Sequence, residues 1–451
     1  MTPSIVRAAQ MPAGTPVVPV AIVGAGACGL TAALMLRDVG IDCVLLERDA
    51  QAQGSTALSS GFIPAAGTAM QRAAGVLDDS AERFARDIQA KAHDTAAPPL
   101  VAAYAEAIAP ALDALQARHG LRFEVLDGFL YPGHSVRRMH TLPQRTGAAL
   151  VAALEAAAQR AGALLLTQAL VRELWCDADD QVIGVGYERP DGRIEHLACR
   201  VLLLACNGFG GNAAMVREWL PEMREAVFGG HVGNDGSAIA WGQQLGARLA
   251  DLGGYQGHGS WAVPQGVLIS WALMMEGGIQ VNSEGRRFHT ETDGYSEASV
   301  HVLAQPGGVA WNVFDARLLA LGRSFPDFVV AEAAGAVRSC GDAAALAALI
   351  GCDAAVLTQT LAGTTLQAPY HAIKVTGALF HTQGGLDIDA DCRVRRDDGT
   401  PFPNLLAAGG AARGVSGNAV WGYLSGNGLL SAVAGGFIAA QTAAAQLGGS
   451  R

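Results

Sequence analysis

Residues 18–49 read VPVAIVGAGACGLTAALMLRDVGIDCVLLERD. VAIV has the composition of a buried strand. Gly24, Gly26 and Gly29 follow at GxGxxG spacing, then an apolar helical segment, then a second strand, CVLLE, ending in Glu47. Glycines at these positions allow a tight turn and let the backbone approach a pyrophosphate closely. The free N–H groups at the helix start then face the phosphate charge. Glu47, with Arg48 beside it, stands where an acidic side chain accepts hydrogen bonds from a ribose diol. GxGxxG alone is a weak signal. With strand, helix, strand and acid in this order, it predicts a dinucleotide site rather than a ligand-free glycine turn.

Around this stretch lies a chain of 451 residues, half of them hydrophobic and only 16% charged. That balance implies a large buried core and excludes a disordered chain. A formal charge of −10 without any basic run argues against a nucleic-acid surface. Eight cysteines are scattered singly with no CxxC pair, so neither a zinc site nor a disulfide framework is expected, and a reducing cytoplasm fits. The start, MTPSIVRAAQMPAGTP, reads as a loose tail rather than a signal peptide. No apolar run is long enough and free enough of glycine to be expected to span a membrane.

Downstream, residues 54–68 read GSTALSSGFIPAAGT. With the first motif, this segment resembles the FAD-dependent fumarate reductase and 3-ketosteroid dehydrogenase superfamily, and the likeness runs from about residue 18 to 445. The resemblance implies an α/β chain: a Rossmann-like FAD-binding domain with an inserted α+β capping (catalytic) domain. It divides the chain into 1–255, 256–372 and 373–451, the outer two forming the FAD-binding domain. It places Ser55, Thr56, Ala57, Ser59, Ser60 and Gly61 along the flavin. Members with covalently attached flavin carry a histidine in this loop; this chain has none there, which implies non-covalent FAD. The backbone at Ala169 and Val171 would meet the adenine. RVLLLACNGFGGN (200–212) resembles the family's second flavin turn, with Cys206 and Asn207 where Thr and Gly are common, followed by Gly208. Asn234, Asp235 and Gly236 match a turn that closes the flavin pocket. Gly409 and the helix start at Gly426, Asn427, Gly428 and Leu429 complete the implied set, the last placing a positive dipole end near the reduced flavin. Residues 70–120 and the alanine/leucine stretch 331–365 are expected to be helical.

EGRRFHTETDGYSEAS (284–299) bears on the reaction. Fumarate reductases carry a proton-delivering arginine after GRRF or GKRF, and at that offset this chain has Tyr295. In the 3-ketosteroid Δ1-dehydrogenases the offset carries a tyrosine with Glu two positions on, matching Tyr295 and Glu297. The fumarate reductases' second arginine falls on Val420, and Arg413 lies too early in the count. Missing both arginines argues against a dicarboxylate, which needs paired donors when buried. His258 and His381 match substrate-carboxylate histidines of the family. Tyr423, with a backbone N–H of Gly422 or Gly428, is a candidate to polarise a ketone oxygen. Phe62 and Trp421 are expected as apolar walls. His134, Arg137, Arg138 and His140 form a basic step that the family uses mainly structurally.

The expected activity is α,β-desaturation of a cyclic or hydrophobic ketone, or the reverse. Tyr295 would transfer the α-proton, its phenolate stabilised by basic neighbours. The alternative is reduction of an unsaturated carboxylate held by His258 and His381; a flavin protein without turnover is the non-enzymatic reading. No second nucleotide fingerprint supports direct use of NAD(P)H, so the electron acceptor or donor is unidentified.

Overall fold

The computed structural model describes residues 3–127 and 130–448. Its larger sheet has nine strands. At the centre, Ile194–Leu204 runs parallel to Val17–Val23 on one side and to Pro401–Ala407 on the other. Val17–Val23 continues in parallel to Cys43–Leu46 and then Leu164–Leu166. Residues 20–23, 43–46 and 201–204 are short apolar runs buried on both faces, as a parallel sheet covered by helices requires. The helix Ala27–Asp38 packs against the C-terminal helix Asn427–Gln446, which also packs on Pro98–His119. Strand formation breaks between Leu166 and Leu170, where Gln168 takes a positive φ of 52°. Leu164–Leu166 and Leu170–Cys176 are thus two strands with different partners.

The second sheet is built round one long strand, Tyr370–Thr382. Tyr255–Ala262, Val309–Phe314 and Arg338–Cys340 pair with it antiparallel. Its own core includes Val313, Phe314, Phe328 and Ile373. The long strand crosses position 372, so the cap sheet draws on both sides of the expected boundary. Helices form at Ala69–Ala73, Ala81–Lys91 and Pro98–His119, as the alanine-rich composition predicts. The expected helical stretch 331–365 is instead split: Pro326–Ala333, Ala343–Ile350 and Ala354–Ala362 are separate helices with the strand Arg338–Cys340 between the first two. Gly335 and Gly351 at positive φ end two of them.

One reading of the apolar runs needs correction. Asn427–Gln446 is long and apolar enough by composition to cross a membrane, despite its glycines. Most of it is buried inside the fold, where Gly436 lets Cys28 of the first helix approach: a Cβ there would sit 2.4 Å from the Cys28 oxygen.

Candidate active site

A continuous cleft of about 2110 Å³, counted out to its open mouth, runs between the two sheets. Its nucleotide end grows from the first motif. Gly24 has φ +104°, and a Cβ there would lie 2.6 Å from the Ala205 oxygen. Gly26 caps the first helix without any side-chain hydrogen bond. The Ala27 N–H donates to Thr56 Oγ1 at 3.1 Å. Glu47 is buried; its carboxylate accepts the N–H groups of Ala25 and Asp49 at 2.9 and 3.0 Å. Burial raises its carboxyl above the usual range. The Ala169 N–H donates to the Glu47 carbonyl at 2.8 Å, carrying Ala169 and Val171 to the wall.

The turn 229–237 closes over this end. Arg48 donates to the Gly233 carbonyl and to Asp235, while Asn234 and the His231 N–H both donate to Ser55 Oγ. His231, which sequence reasoning missed, also faces Asp49 at 2.9 Å. Its place in the HVGND run beside Asp235 was the available signal. Ser59, Ser60, Gly61, Cys206, Asn207, Gly409, Gly426, Gly428 and Leu429 line the cleft as well. Asn207 adopts φ 66°, the left-handed region that asparagine tolerates, which explains how it stands in for glycine. Gly29, Ala57, Gly208 and Asn427 do not line the cleft. Gly29 and Gly208 serve close packing instead: Cβ atoms there would lie 2.0 Å from the Gly24 oxygen and from Thr382 Oγ1. Asn427 points its amide at Ser416 Oγ, 2.9 Å away. The C-terminal helix, like the first, starts with no side-chain cap, at Gly426. Two helix starts with glycine N-caps on one cleft, with a glycine turn between strand and helix, fit an anionic dinucleotide.

At the other end, four predicted side chains converge. Tyr295 opens the helix Tyr295–Leu303. Its ring stacks on His258 with centroids 4.8 Å apart and meets Tyr423 edge-on at 6.1 Å. His381 lies beyond Tyr423, its Nε2 3.5 Å from the phenol oxygen. That approach needs Gly428, where a Cβ would sit 2.5 Å from His381 Nε2. The Gly428 N–H donates to the Tyr423 oxygen at 3.4 Å. His258 Nδ1 accepts the Ser260 N–H at 3.1 Å, so the neutral ring carries its proton on Nε2. Burial lowers His258 to about 3 and His381 to about 4, making both neutral. Burial likewise pushes the Tyr295 and Tyr423 phenols up.

Several expectations change here. Among the described residues, no unpaired basic side chain stabilises a Tyr295 phenolate. Lys91 is paired with Glu297, and Arg413 with Asp251 and Asp387. Among the described residues, the arginines that line the cleft are Arg48 and Arg145, paired with Asp235 and Glu124. Tyr295 therefore rests as a phenol. The Gly422 N–H is spent on the Ala419 carbonyl, leaving it out of any oxyanion site. Trp421 stacks on His93 at 4.2 Å instead of lining the cleft; Phe62 does line it, with Tyr131, Trp271 and Phe380. The basic step is structural. Arg138 is fully buried against Asp79 and Asp87, His140 bonds Thr68, and His134 bonds the Ser425 carbonyl at 2.9 Å.

Residues 19–429 match the family described as FAD binding domain. The chain is 28% identical over 450 residues to the NADH:fumarate oxidoreductase of Klebsiella pneumoniae (strain 342), covering 94% of this chain and 47% of that protein, so it spans about half of that relative's length. A flavocytochrome c3 fumarate reductase in its open conformation superposes with a TM-score of 0.82 at 25% identity, over 96% of this chain and 79% of that one. The 3-ketosteroid-delta4-(5alpha)-dehydrogenase of Rhodococcus jostii RHA1, in complex with 4-androstene-3,17-dione, superposes with a TM-score of 0.77 at 24% identity, over 97% and 99%. That last likeness is one of fold. The glycine turn, the paired helix starts and the family match converge: the chain belongs to the FAD binding domain family of flavoprotein oxidoreductases, and FAD is its cofactor.

Proposed function

We propose that the chain interconverts an α,β-unsaturated carbonyl compound and its saturated ketone, with FAD, at the Tyr295 end of the cleft. The observation that carries this reading is a buried phenol set between His258 and Tyr423, with no free cation beside it among the described residues. Bound FAD supplies the hydride acceptor or donor. A phenol held protonated by burial is a proton donor, so Tyr295 delivers a proton to the α-carbon in the reductive direction and recovers it in the reverse. The substrate oxygen takes hydrogen bonds from Tyr423 O–H and His258 Nε2–H, which stabilise enolate charge as it develops. His381 and Gly428 fix the Tyr423 hydroxyl. Trp271, Phe380 and Phe62 give the pocket apolar walls that exclude water. The absence of histidine from residues 54–68 supports non-covalent FAD, which release of the flavin on denaturation would test.

The relatives that act on fumarate favour a second reading, reduction of an unsaturated carboxylate. In that case His258 and His381 supply the available donors, both neutral. Anaerobic absorbance separates the two. Enzyme reduced with dithionite and mixed with cyclic enones should regain its oxidised flavin band. Recovery with unsaturated carboxylates and with no enone would discard the ketone reading.

A further inference from the structure

We infer that Asp327 selects the charge of the substrate: the cleft takes a carbonyl compound whose far end carries a protonated nitrogen, such as an ammonium or imidazolium group, and disfavours one whose far end is anionic. This rests on the proposal that the Tyr295 end binds an unsaturated carbonyl compound. Asp327 lies in the first turn of the helix Pro326–Ala333 and lines the same cleft as Tyr295. Its helix packs on the strand Val267–Leu268, so Asp327 shares the cap wall with Leu268 and Trp271.

The carboxylate has no ion-pair or hydrogen-bond partner among the described residues. Arginines of the same half of the chain are engaged elsewhere. Arg323 makes a two-pronged pair with Glu332 at 2.9 and 2.7 Å. Arg317 donates to the Glu276 carbonyl at 2.6 Å, and Arg287 pairs with Glu291. Asp327 is solvent-exposed on one side, and the atoms packed against its other side raise its carboxyl above the usual aspartate range. A carboxylate that lines the cleft without a protein partner is stabilised by a cation on the ligand, and it repels a ligand carboxylate. An aspartate in a first helical turn also favours the helix dipole, a role that would leave substrate choice untouched.

The test uses the FAD-loaded enzyme and three cyclohex-2-enones bearing an aminomethyl group, a hydrogen or a carboxylate at C4. Reoxidation of dithionite-reduced enzyme gives kinetic preference, and perturbation of the oxidised flavin spectrum gives Kd. Aminomethyl should bind more tightly than carboxylate by about fivefold or more, as one screened charge contact allows. Asp327→Asn should level the series, and Asp327→Lys should reverse it. Enone turnover with a charge order that Asp327→Asn leaves unchanged would overturn the inference, assigning Asp327 to the helix alone. No reoxidation by any enone would overturn the ketone reading instead. The Kd series would still decide the charge preference: equal values for all three, or tighter binding of the carboxylate, would reject it. Should Asp327→Asn unfold, Asp327→Ser supplies the same comparison.

Discussion

At the nucleotide end of the cleft the wall is largely backbone: Gly24 and Gly61 at positive φ, and two helix starts whose N-cap glycines offer no side-chain cap. At the substrate end the wall is side chains brought from four distant segments, with Tyr295, His258, His381 and Tyr423 meeting ring to ring. The first end is specified by local turn geometry, so one short motif encodes it. The second exists only when the cap sheet lies against the start of the C-terminal helix. A side-chain change should therefore harm chemistry at one end, and a backbone change should harm cofactor retention at the other.

The largest expected effect is on chemistry. Tyr295→Phe should lower turnover about 10²- to 10⁴-fold, the usual worth of a positioned proton donor, with FAD content and melting temperature near wild type. Wild-type turnover in that variant would place proton transfer elsewhere. Next comes backbone strain. Gly24→Ala forces a Cβ to 2.6 Å from the Ala205 oxygen at φ +104° and should cost about 3 kcal/mol, with FAD per chain falling in parallel. Full FAD occupancy would mean that the turn does not approach the cofactor.

The joint between the ends is testable through Lys91. This lysine, on the helix Ala81–Lys91, pairs with Glu297 and donates to the Asp293 carbonyl at 3.0 Å, gripping both flanks of Tyr295 across the two halves. Lys91→Met should destabilise by about 2 kcal/mol, since it leaves a largely buried carboxylate without its partner. Burial already raises the Glu297 carboxyl, and Lys91 lowers it, so the variant carries it higher still. A carboxyl raised in the folded state adds no penalty below its unfolded value of about 4.3 and a growing one as pH rises from there to the folded value. The deficit should therefore shrink as pH falls toward about 4, which denaturant unfolding at several pH values would show.

Gly428→Ala is expected to be milder. It displaces His381 and should cost about tenfold in kcat with FAD retained; equal loss of FAD would show that the two ends share this helix start. The last expectation is a slope with pH, not the effect of a substitution. His134, His140, His258 and His381 are all held neutral by burial, near 3 to 4. Their folded values lie below the unfolded value of about 6.5. Stability is then whole above that pH and falls as pH drops toward 4. Thermal melts between pH 7 and 4 check the sum, while activity should show no histidine limb between pH 5 and 8.

Sequence by itself determined the nucleotide end. Gly24, Gly26, Gly29 and Glu47 could be read because a tight turn at positive φ and a close helix start restrict residue type within a few positions of one another. The resemblance also named the four side chains of the proposed substrate end, and Tyr295, His258, His381 and Tyr423 all line the cleft. What it could not give was their surroundings. Whether a phenol is a base or an acid depends on which cations lie near, and Lys91 and Arg413 are engaged by Glu297, Asp251 and Asp387 only through long-range packing. The same holds for Trp421, drawn away by His93, and for the buried Arg138 with its two aspartates. Burial and charge pairing are properties of the assembled fold, so the protonation of the site was decided by tertiary structure alone.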